Sequence, residues 1–352
     1  MNTINKEIQD FFIQMLNIDS TSGSELRLAE FIANNIKFRR AHLEVQEVGD
    51  GTVNLFFKWG KPKIVFCSHL DTVPPYIKPE ITEVEVPGGS DRSGGKQVVI
   101  KGRGTCDAKG QLIAQYTAAL ELEKEGFDNF GLLWVAGEEV GSFGARKANS
   151  LLEGCDYVIV GEPTENKLIS AGKGTALYSV IINGKSSHSG YPAFGDNAIE
   201  RFRLFMNDLS QTEFPLDNIL GATTYNVGRL SSPNAHNVIS DCVSFRIYFR
   251  TTFASYGVLD EIMQKMSDSN ILIERISNDK PIKFHTLDGF ETGVVAYGSD
   301  APHLTSAGNI MLYGPGSILY AHTNDEQITM DEIENAVTDL INIYNRLINK
   351  NI

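Results

Sequence analysis

Polar side chains that could bind a metal occur where predicted strands end in the first half of the chain. The segment 63–75, KIVFCSHLDTVPP, starts as an apolar strand and ends with His69 and Asp71. Because residues two apart on an extended chain point to the same side, both side chains could touch one neighbour, or Asp71 could orient the ring of His69. The plain alternative for this pair alone is a solvated strand end before a Pro-Pro turn.

Four further carboxylates follow predicted strands or precede a predicted helix: Asp107, Glu138, Glu139 and Glu162. For Asp107, the plain alternative is an N-cap of the helix that starts beside it. In open α/β sheets, ligands bind beyond the carboxyl ends of the strands, where these side chains are expected. Carboxylates gathered in one cleft repel one another unless a cation lies between them. The pattern therefore predicts a divalent metal site, and two zinc ions about 3.5 to 4 Å apart fit the number of ligands better than one.

A two-metal site needs one more histidine. His322, in YAHTNDE after a Gly-Pro-Gly turn, is the best candidate, with a satisfied core histidine as the alternative. Structural or solvent-facing positions are expected for three others: His42, His285 and His303.

Composition narrows the class of protein. The chain has 352 residues and a formal net charge of −13, and its length predicts roughly two domains of about 150 residues. A nucleic-acid partner is not expected, because no basic cluster is present to neutralise phosphates. The four cysteines have no C-x-x-C spacing and are expected to be free thiols. No signal peptide or membrane-spanning run is apparent, so a cytoplasmic protein without a membrane partner is expected.

The order of helical and strand patterns predicts two domains. They alternate over the first 160 residues, starting with a helix near 3–18, which predicts an α/β layer with a mainly parallel central sheet. After about residue 172, strand patterns with helical patterns between them predict an inserted α+β domain with an antiparallel sheet. The alternation returns after about residue 290. The predicted domains are a discontinuous first domain, 1–171 and 286–352, and an inserted domain, 172–285.

Several motifs together resemble a known family. In chain order they are S-H-L-D-T-V-P, G-R-G-T-C-D-A-K-G, G-E-E-V-G-S, G-E-P-T, S-S-H-S-G-Y-P, N-V-I-S-D, G-S-D-A and A-H-T-N-D-E. The chain resembles the dinuclear zinc aminoacylases and carboxypeptidases, which include acetylornithine deacetylase, succinyl-diaminopimelate desuccinylase, carboxypeptidase G and bacterial dipeptidases. The resemblance implies a zinc-peptidase-like catalytic domain with an inserted ferredoxin-like lid and dimerisation domain.

The resemblance also implies the ligands of two divalent ions, one held by His69 and Glu162, the other by Glu139 and His322, with Asp107 bridging both. Zinc is expected, with cobalt or manganese as alternatives, because carboxylate and imidazole ligands accept several divalent ions. Asp71 would accept the other ring N–H of His69 and fix its tautomer. Glu138 would be the general base. A cis peptide bond is expected between Asp107 and Ala108.

In the inserted domain the resemblance implies substrate-binding residues. His188 would enter the active site of a partner subunit and hydrogen-bond the oxyanion, which implies a homodimer. Asn237 and Arg250 match positions that hold a substrate carboxylate, which suits a bidentate guanidinium; for Arg250 the alternative is a surface strand residue. Lys173 is an expected substrate contact at a position where desuccinylases favour Arg-Gly, so the acyl group stays open between acetyl and succinyl. His236 is expected to be structural.

The function expected from these residues is zinc-dependent removal of an N-acyl group from a small N-acyl amino acid. An N-acyl-ornithine or N-acyl-citrulline of arginine biosynthesis is the first expectation. A metallo-dipeptidase or carboxypeptidase is the alternative, since a dipeptide and an N-acyl amino acid share an amide and an α-carboxylate. The third possibility is a non-catalytic binding protein. All ligand positions are filled, whereas a non-catalytic protein would be expected to lack at least one of them.

Overall fold

The computed structural model describes residues 4–49, 51–86 and 95–349. Residue 3, the first of the helix predicted near 3–18, lies outside this part of the chain. So do residues 1–3 and 350–352 at the two ends of the predicted first domain. The helices are α1 (Lys6–Leu16), α2 (Leu26–Asn35), α3 (Lys109–Glu125), α4 (Phe143–Ala148), α5 (Ala198–Gln211), α6 (Phe253–Tyr256), α7 (Leu259–Lys265) and α8 (Met330–Asn349).

The strands of the first half are β1 (His42–Gly49), β2 (Thr52–Lys58), β3 (Ile64–His69), β4 (Glu80–Val86), β5 (Gly95–Lys101), β6 (Phe130–Val135), β7 (Tyr157–Val160) and β8 (Leu168–Gly172). Those that follow are β9 (Gly174–Asn183), β10 (Thr224–Ser231), β11 (Cys242–Thr251), β12 (Ile271–Asp279), β13 (Ile282–Lys283), β14 (Thr292–Val295), β15 (Asn309–Leu312) and β16 (Gln327–Thr329). Short 3-10 helices cover Asn149–Leu152, Pro192–Phe194 and Ala301–His303.

The chain divides into two compact units. Unit 1 comprises Met1–Ser170, Phe284–Gly293 and Ser299–Ile352, and unit 2 comprises Ala171–Lys283 and Val294–Gly298. The boundaries predicted from the sequence run close to this division but assign residues 294–298 to the first domain. In the structure these residues group with unit 2, where the Lys173 N–H donates a hydrogen bond to the Val295 carbonyl at 3.0 Å.

The central sheet of unit 1 has the strand order β1-β2-β6-β3-β7-β15. The pairs β6–β3, β3–β7 and β7–β15 are parallel, and the pairs β1–β2 and β2–β6 are antiparallel. Every residue of β3 and β6 is buried. Burial on both faces is the reason these strands read as continuous apolar runs in the sequence. The prediction of an α/β unit with a mainly parallel sheet is confirmed.

Helix α3 lies at the centre of unit 1. All of its residues from Lys109 to Ala119 are buried, because α1 and α8 contact it on one side and the sheet on the other. Its N-terminus begins directly after Ala108, and its C-terminus is closed by Gly126 in the left-handed conformation (φ 96°), which glycine adopts without strain. The helix therefore holds the loop before it, 102–108, in a fixed place at one end of unit 1.

Unit 2 contains an antiparallel sheet with the order β10-β11-β9-β12. Its chain order, β9-α5-β10-β11-α7-β12, is the split β-α-β arrangement of ferredoxin-like folds. Alternate residues of β11 are buried, among them Phe245, Ile247 and Phe249, and α5 and α7 pack on that face through residues such as Phe205 and Met263. The prediction of a separate antiparallel-sheet domain is confirmed.

Two local features were not expected from the sequence. One helical pattern of the inserted domain forms two short helices, α6 and α7, because Thr252 and Ser255 make a capping box and Val258 is the N-cap residue of the second helix. Strand β1 was not predicted, because its apolar residues, Leu43, Val45 and Val48, do not keep the strict alternation that marks a half-buried strand in a sequence. Across the described residues, no helix combines the length and apolar character needed to cross a bilayer. The four cysteines are unpaired thiols.

A buried carboxylate near the C-terminus of α3 ties this helix to the segment before β1. The carboxylate of Glu123 accepts the main-chain N–H groups of Arg39 and Arg40, at 3.0 and 2.8 Å, and the indole N–H of Trp59 at 2.8 Å. The Glu123 side chain is 8% exposed, so water does not replace these bonds readily. Burial raises the pKa of Glu123, but these hydrogen bonds lower it below its ordinary value overall.

We predict that Glu123→Ala lowers the free energy of unfolding of unit 1 by about 2 to 4 kcal/mol, because it leaves buried donors without an acceptor. Urea unfolding followed by tryptophan fluorescence measures this change, since both tryptophans, Trp59 and Trp134, lie in unit 1. The exposed Glu125 in the same helical turn supplies the control, and Glu125→Ala should change the free energy by less than about 0.5 kcal/mol. An equal effect of both substitutions would contradict the assigned role of Glu123.

Candidate metal centre

Three adjacent strands of unit 1 bring polar side chains to one edge of the sheet. Strand β3 ends at His69, which pairs with Val135 at the end of β6, and Cys67 of β3 pairs with Val160 at the end of β7. The residues that follow β6 and β7 therefore meet His69 at this edge. Glu138 and Glu139 come from the first of these connections and Glu162 from the second, as expected for the carboxyl ends of parallel strands.

Asp107 presents one carboxylate oxygen to each of two histidines. Its Oδ1 lies 3.0 Å from the Nε2 of His69, and its Oδ2 lies 3.3 Å from the Nε2 of His322. The Nε2 of His322 is also 2.9 Å from the Oε1 of Glu139. Helix α3 has Ala108 as its N-cap residue, with no side-chain cap. The N-cap interpretation of Asp107 is therefore wrong, because its carboxylate faces the imidazoles instead of the helix amides.

Two groups of potential ligand atoms share Asp107. One consists of His69, Asp107 and Glu162, and the other of Asp107, Glu139 and His322; within each, the ligand atoms lie within 4.8 Å of one another. A third group, His69, Glu138 and Glu139, overlaps with both. The Oε1 atom of Glu162 is buried and has no hydrogen-bond partner within the described residues. A buried carboxylate oxygen without a donor is costly, and a bound cation would remove this cost.

Asp71 contacts His69 through its main-chain carbonyl as well as its carboxylate. The Nδ1 atom of His69 hydrogen-bonds the main-chain carbonyl of Asp71 at 2.9 Å, while the Asp71 Oδ1 is 3.5 Å away. The carboxylate accepts the Ser22 hydroxyl at 2.7 Å and the main-chain N–H groups of Glu138 and Glu139 at 3.0 and 3.2 Å. The tautomer of His69 is thus set by the backbone of Asp71, and the Asp71 carboxylate holds the loop that carries both glutamates.

The loop that carries Glu138 and Glu139 has a constrained backbone. Gly137 has φ 68°, and an added Cβ would lie 1.9 Å from the ring of Phe143, so only glycine fits there. The Ser142 N–H closes the loop by donating to the Gly137 carbonyl at 2.8 Å. The peptide bond between Asp107 and Ala108 is cis, which confirms that prediction.

The pKa values show the charge conflict within the cluster. Burial lowers the pKa of His69, but hydrogen bonds to Asp107 and the neighbouring carboxylates raise it well above its ordinary value overall. Hydrogen bonds to Asp107 and Glu139 raise the pKa of His322 to about 10. Burial raises the pKa values of Glu138 and Glu162 well above their ordinary range. The raised pKa values mean that these groups hold protons more strongly than usual, and a divalent cation would relieve the same conflict of charges.

These observations fit a divalent metal site. The donors are carboxylate oxygens and imidazole nitrogens, the set that zinc, cobalt and manganese accept. The orphaned oxygen of Glu162 and the shared position of Asp107 fit a pair of ions better than one. Metal binding here would displace protons, because ligating histidines must be neutral.

The expected substrate-binding residues form two pairs in unit 2. His188 and Asn237 lie on neighbouring segments, where the Ser189 N–H donates to the Asn237 carbonyl at 3.0 Å. Lys173 and Arg250 form the other pair: burial lowers the pKa of Lys173, and the charge of Arg250 lowers it further. The Nζ of Lys173 donates to the Ala222 carbonyl at 2.5 Å.

Three residues near the cluster were not assigned a role from the sequence: Ser22, Asp300 and Glu326. Ser22 bonds the carboxylate of Asp71, and Glu326 bonds the main-chain N–H of Asp107 at 3.2 Å. Asp300 is buried, and burial raises its pKa to about 7. Asp300 lies inside the G-S-D-A motif and Glu326 inside the A-H-T-N-D-E motif. Their position in these motifs was the sequence feature that could have marked them as residues near the site.

A sequence profile described as peptidase family M20/M25/M40 matches residues 65–350. The chain belongs to this family. A probable carboxypeptidase of Aspergillus clavatus is 33% identical over 355 residues, which cover 93% of this chain and 85% of the relative. A peptidase M20 domain-containing protein of Schizosaccharomyces pombe is 31% identical over 351 residues, which cover 96% of this chain and 83% of the relative.

Solved structures share the M20 fold. A tripeptidase from Staphylococcus aureus superposes with a TM-score of 0.75 at 20% identity, covering 96% of this chain and 97% of that one. A metallo-carboxypeptidase of the M20 family from Sulfolobus solfataricus gives 0.69 at 15% identity, covering 95% and 97%. M20 membership confirms the prediction of a metal-dependent hydrolase that acts on amide bonds. Membership of the acylase subfamily stays a prediction.

We predict that the chelator-treated protein takes up two equivalents of zinc and that His322→Ala takes up one, because His322 faces only one of the two ligand groups. Elemental analysis after gel filtration measures this number. The control is His42→Ala, which removes an exposed imidazole outside the cluster and should leave two equivalents bound. Two tightly bound equivalents in His322→Ala would show that His322 is not a ligand.

Proposed function

We propose that this M20 protein is a metal-dependent carboxypeptidase that hydrolyses short peptides, dipeptides included, at the amide bond next to a free α-carboxylate. The observation that carries metal-dependent hydrolysis of an amide is the shared position of Asp107 between two groups of potential metal ligands, with Glu138 beside them. Curated relatives above 30% identity are named probable carboxypeptidases, which supports this reaction over others of the family.

This proposal reverses the order expected from the sequence. N-acyl-ornithine and N-acyl-citrulline were the first expectation, and a dipeptidase or carboxypeptidase was the alternative. The two substrate classes share an amide and an α-carboxylate, so the same cluster could act on either. The names of the relatives favour peptides, and a role in arginine biosynthesis is not part of the proposal. The cytoplasmic location stays a prediction.

The chain's own residues supply proton transfer. Divalent ions bound in the cluster would polarise the scissile carbonyl and lower the pKa of an attacking water. The Glu138 carboxylate would take the proton from that water and return it to the leaving amine. Its main-chain N–H donates to Asp71 at 3.0 Å, which holds the residue in place. Burial raises the pKa of Glu138, so its carboxylate binds a proton strongly when one is released nearby.

We propose Arg250, Lys173 and Asn237 as the residues that hold the substrate carboxylate. Lys173 lies close enough to Arg250 for the charge of the guanidinium to lower the pKa of Lys173. Among the described residues no carboxylate forms an ion pair with Arg250, whose guanidinium lies 4.8 Å from the ring centre of Tyr248. A pair of cations without an anion between them favours the binding of an anion such as an α-carboxylate.

We further propose that His188 stabilises the oxyanion and that it does so in the site of a partner subunit of a homodimer. His188 is exposed, and its Nδ1 accepts the main-chain N–H of Gly190 at 3.0 Å. Because a main-chain N–H only donates, the neutral ring carries its proton on Nε2. An exposed Nε2–H is the kind of donor that a developing oxyanion requires.

We predict that the metal-loaded enzyme releases the C-terminal amino acid from dipeptides and tripeptides, and that amidation of the peptide C-terminus lowers kcat/KM at least 100-fold by removing the carboxylate. Product release from peptides, amidated peptides and N-acetyl or N-succinyl derivatives of ornithine and citrulline is compared on one preparation, with chelator-treated enzyme as the control. Preference for an acylated ornithine or citrulline would contradict the proposal and support the deacylase that was the first expectation from the sequence. Equal cleavage of amidated peptides would contradict a carboxypeptidase.

We predict that Glu138→Gln lowers kcat by about 100-fold to 10,000-fold, because the amide cannot accept a proton. The number of bound metal ions should not change. Steady-state kinetics with elemental analysis separates the two effects. The exposed Glu153 provides a matched control, and Glu153→Gln should keep wild-type kcat. Wild-type turnover by a metal-loaded Glu138→Gln enzyme would rule out Glu138 as the general base.

A further inference from the structure

A buried ion pair lies directly behind Asp107. The Nη1 atom of Arg103 is 2.6 Å from the Oε2 of Glu326, and the two side chains are 2% and 0% exposed. An ion pair buried this deeply is weak evidence for stability, because apolar residues of similar size often replace such pairs without loss. The role of the pair is therefore sought in its contacts with the rest of unit 1 and not in the stability that the charge pairing provides.

The second oxygen of Glu326 holds the main chain at Asp107. Its Oε1 accepts the N–H groups of Cys106 and Asp107, each at 3.2 Å. The main-chain carbonyl of Glu326 accepts the Gly102 N–H at 2.9 Å. Glu326 thus contacts both ends of the loop 102–107, and one of these contacts is the amide of the residue shared by both ligand groups.

Arg103 extends these contacts to a third segment. Its Nε donates to the Pro75 carbonyl at 3.2 Å, and its main-chain N–H donates to the Ile77 carbonyl at 3.0 Å. These carbonyls belong to the segment that follows Asp71. Glu326 itself lies four residues after His322. One charge pair therefore connects the chain segments that supply His69, Asp107 and His322.

We propose that Glu326 is a positioning residue of the metal centre: it fixes the main chain at Asp107 so that the two carboxylate oxygens of Asp107 face the two histidines, and Arg103 in turn fixes Glu326. This inference rests on the metal centre of the proposed function. Hydrogen bonds behind a ligand commonly change metal affinity when they are removed, by about 10-fold to 100-fold.

The matched control is Glu123, a carboxylate that likewise accepts two main-chain N–H groups and one side-chain N–H. It lies fourteen residues after Lys109 on α3, about 21 Å along the helix from the loop that carries Asp107. Glu123→Gln and Glu326→Gln make the same chemical change in two similar hydrogen-bond settings. Only Glu326 contacts a residue of the cluster.

The test is titration of the chelator-treated full chain with Co(II), followed by the visible absorption that reports ligand geometry. We expect Glu326→Gln to weaken Co(II) binding by about 10-fold to 100-fold and to change the absorption spectrum, while Glu123→Gln binds as the wild type does. Thermal unfolding of the metal-free proteins compares their stability. Wild-type affinity and an unchanged spectrum in Glu326→Gln would overturn the proposal, as would an equal loss of affinity in Glu123→Gln.

A second variant covers the case in which Glu326→Gln does not fold. Arg103→Lys keeps a cation opposite Glu326 but removes the Nε donor to the Pro75 carbonyl, and it should weaken Co(II) binding in the same direction; wild-type binding would again overturn the proposal. Peptide hydrolysis is measured separately. A wild-type protein that binds Co(II) but cleaves no peptide would contradict the proposed function alone, whereas one that binds no Co(II) would overturn both.

Discussion

Repulsion among buried carboxylates is the constraint around which unit 1 is built. Asp107 lies within 4.8 Å of Glu162 in one group of ligand atoms and of Glu139 in the other, and Asp71 and Glu138 lie beside them. Such a group is unstable without compensating positive charge. Compensation comes partly from His69 and His322, whose pKa values are raised, and it would be completed by divalent cations.

The surroundings of the cluster oppose this repulsion by fixing main chain as well as side chains. Asp71 accepts the amides of Glu138 and Glu139, and Glu326 accepts the amides of Cys106 and Asp107. In both cases an anion binds successive N–H groups of a ligand-bearing loop. This arrangement holds the loops near a common point at the end of rigid strands and a buried helix. Ligand geometry on such a support is more exact than on a free loop.

The proposed function places the amide chemistry and the selection of substrate in different units. The cluster in unit 1 is suited to hydrolysis of an amide, and nothing in its donor set distinguishes a peptide from an N-acyl amino acid. The residues proposed to contact the substrate, Lys173, Asn237 and Arg250, lie in unit 2. Under this proposal the reaction class depends on the cluster in unit 1, and the choice of substrate depends on a few side chains of unit 2.

The sequence by itself determined the residue types of the site, the α/β character of unit 1 and the antiparallel sheet of unit 2. These features depend on local patterns: buried parallel strands read as apolar runs, and polar side chains at their ends stand out. Tertiary structure alone decided that the Asp71 main-chain carbonyl bonds His69, that Asp107 is not a helix cap, and that residues 294–298 join unit 2. It also decided the contact between Glu326 and the Asp107 amide, which joins residues 219 positions apart. Contacts across such distances depend on how whole elements pack, and no local pattern of residues encodes them.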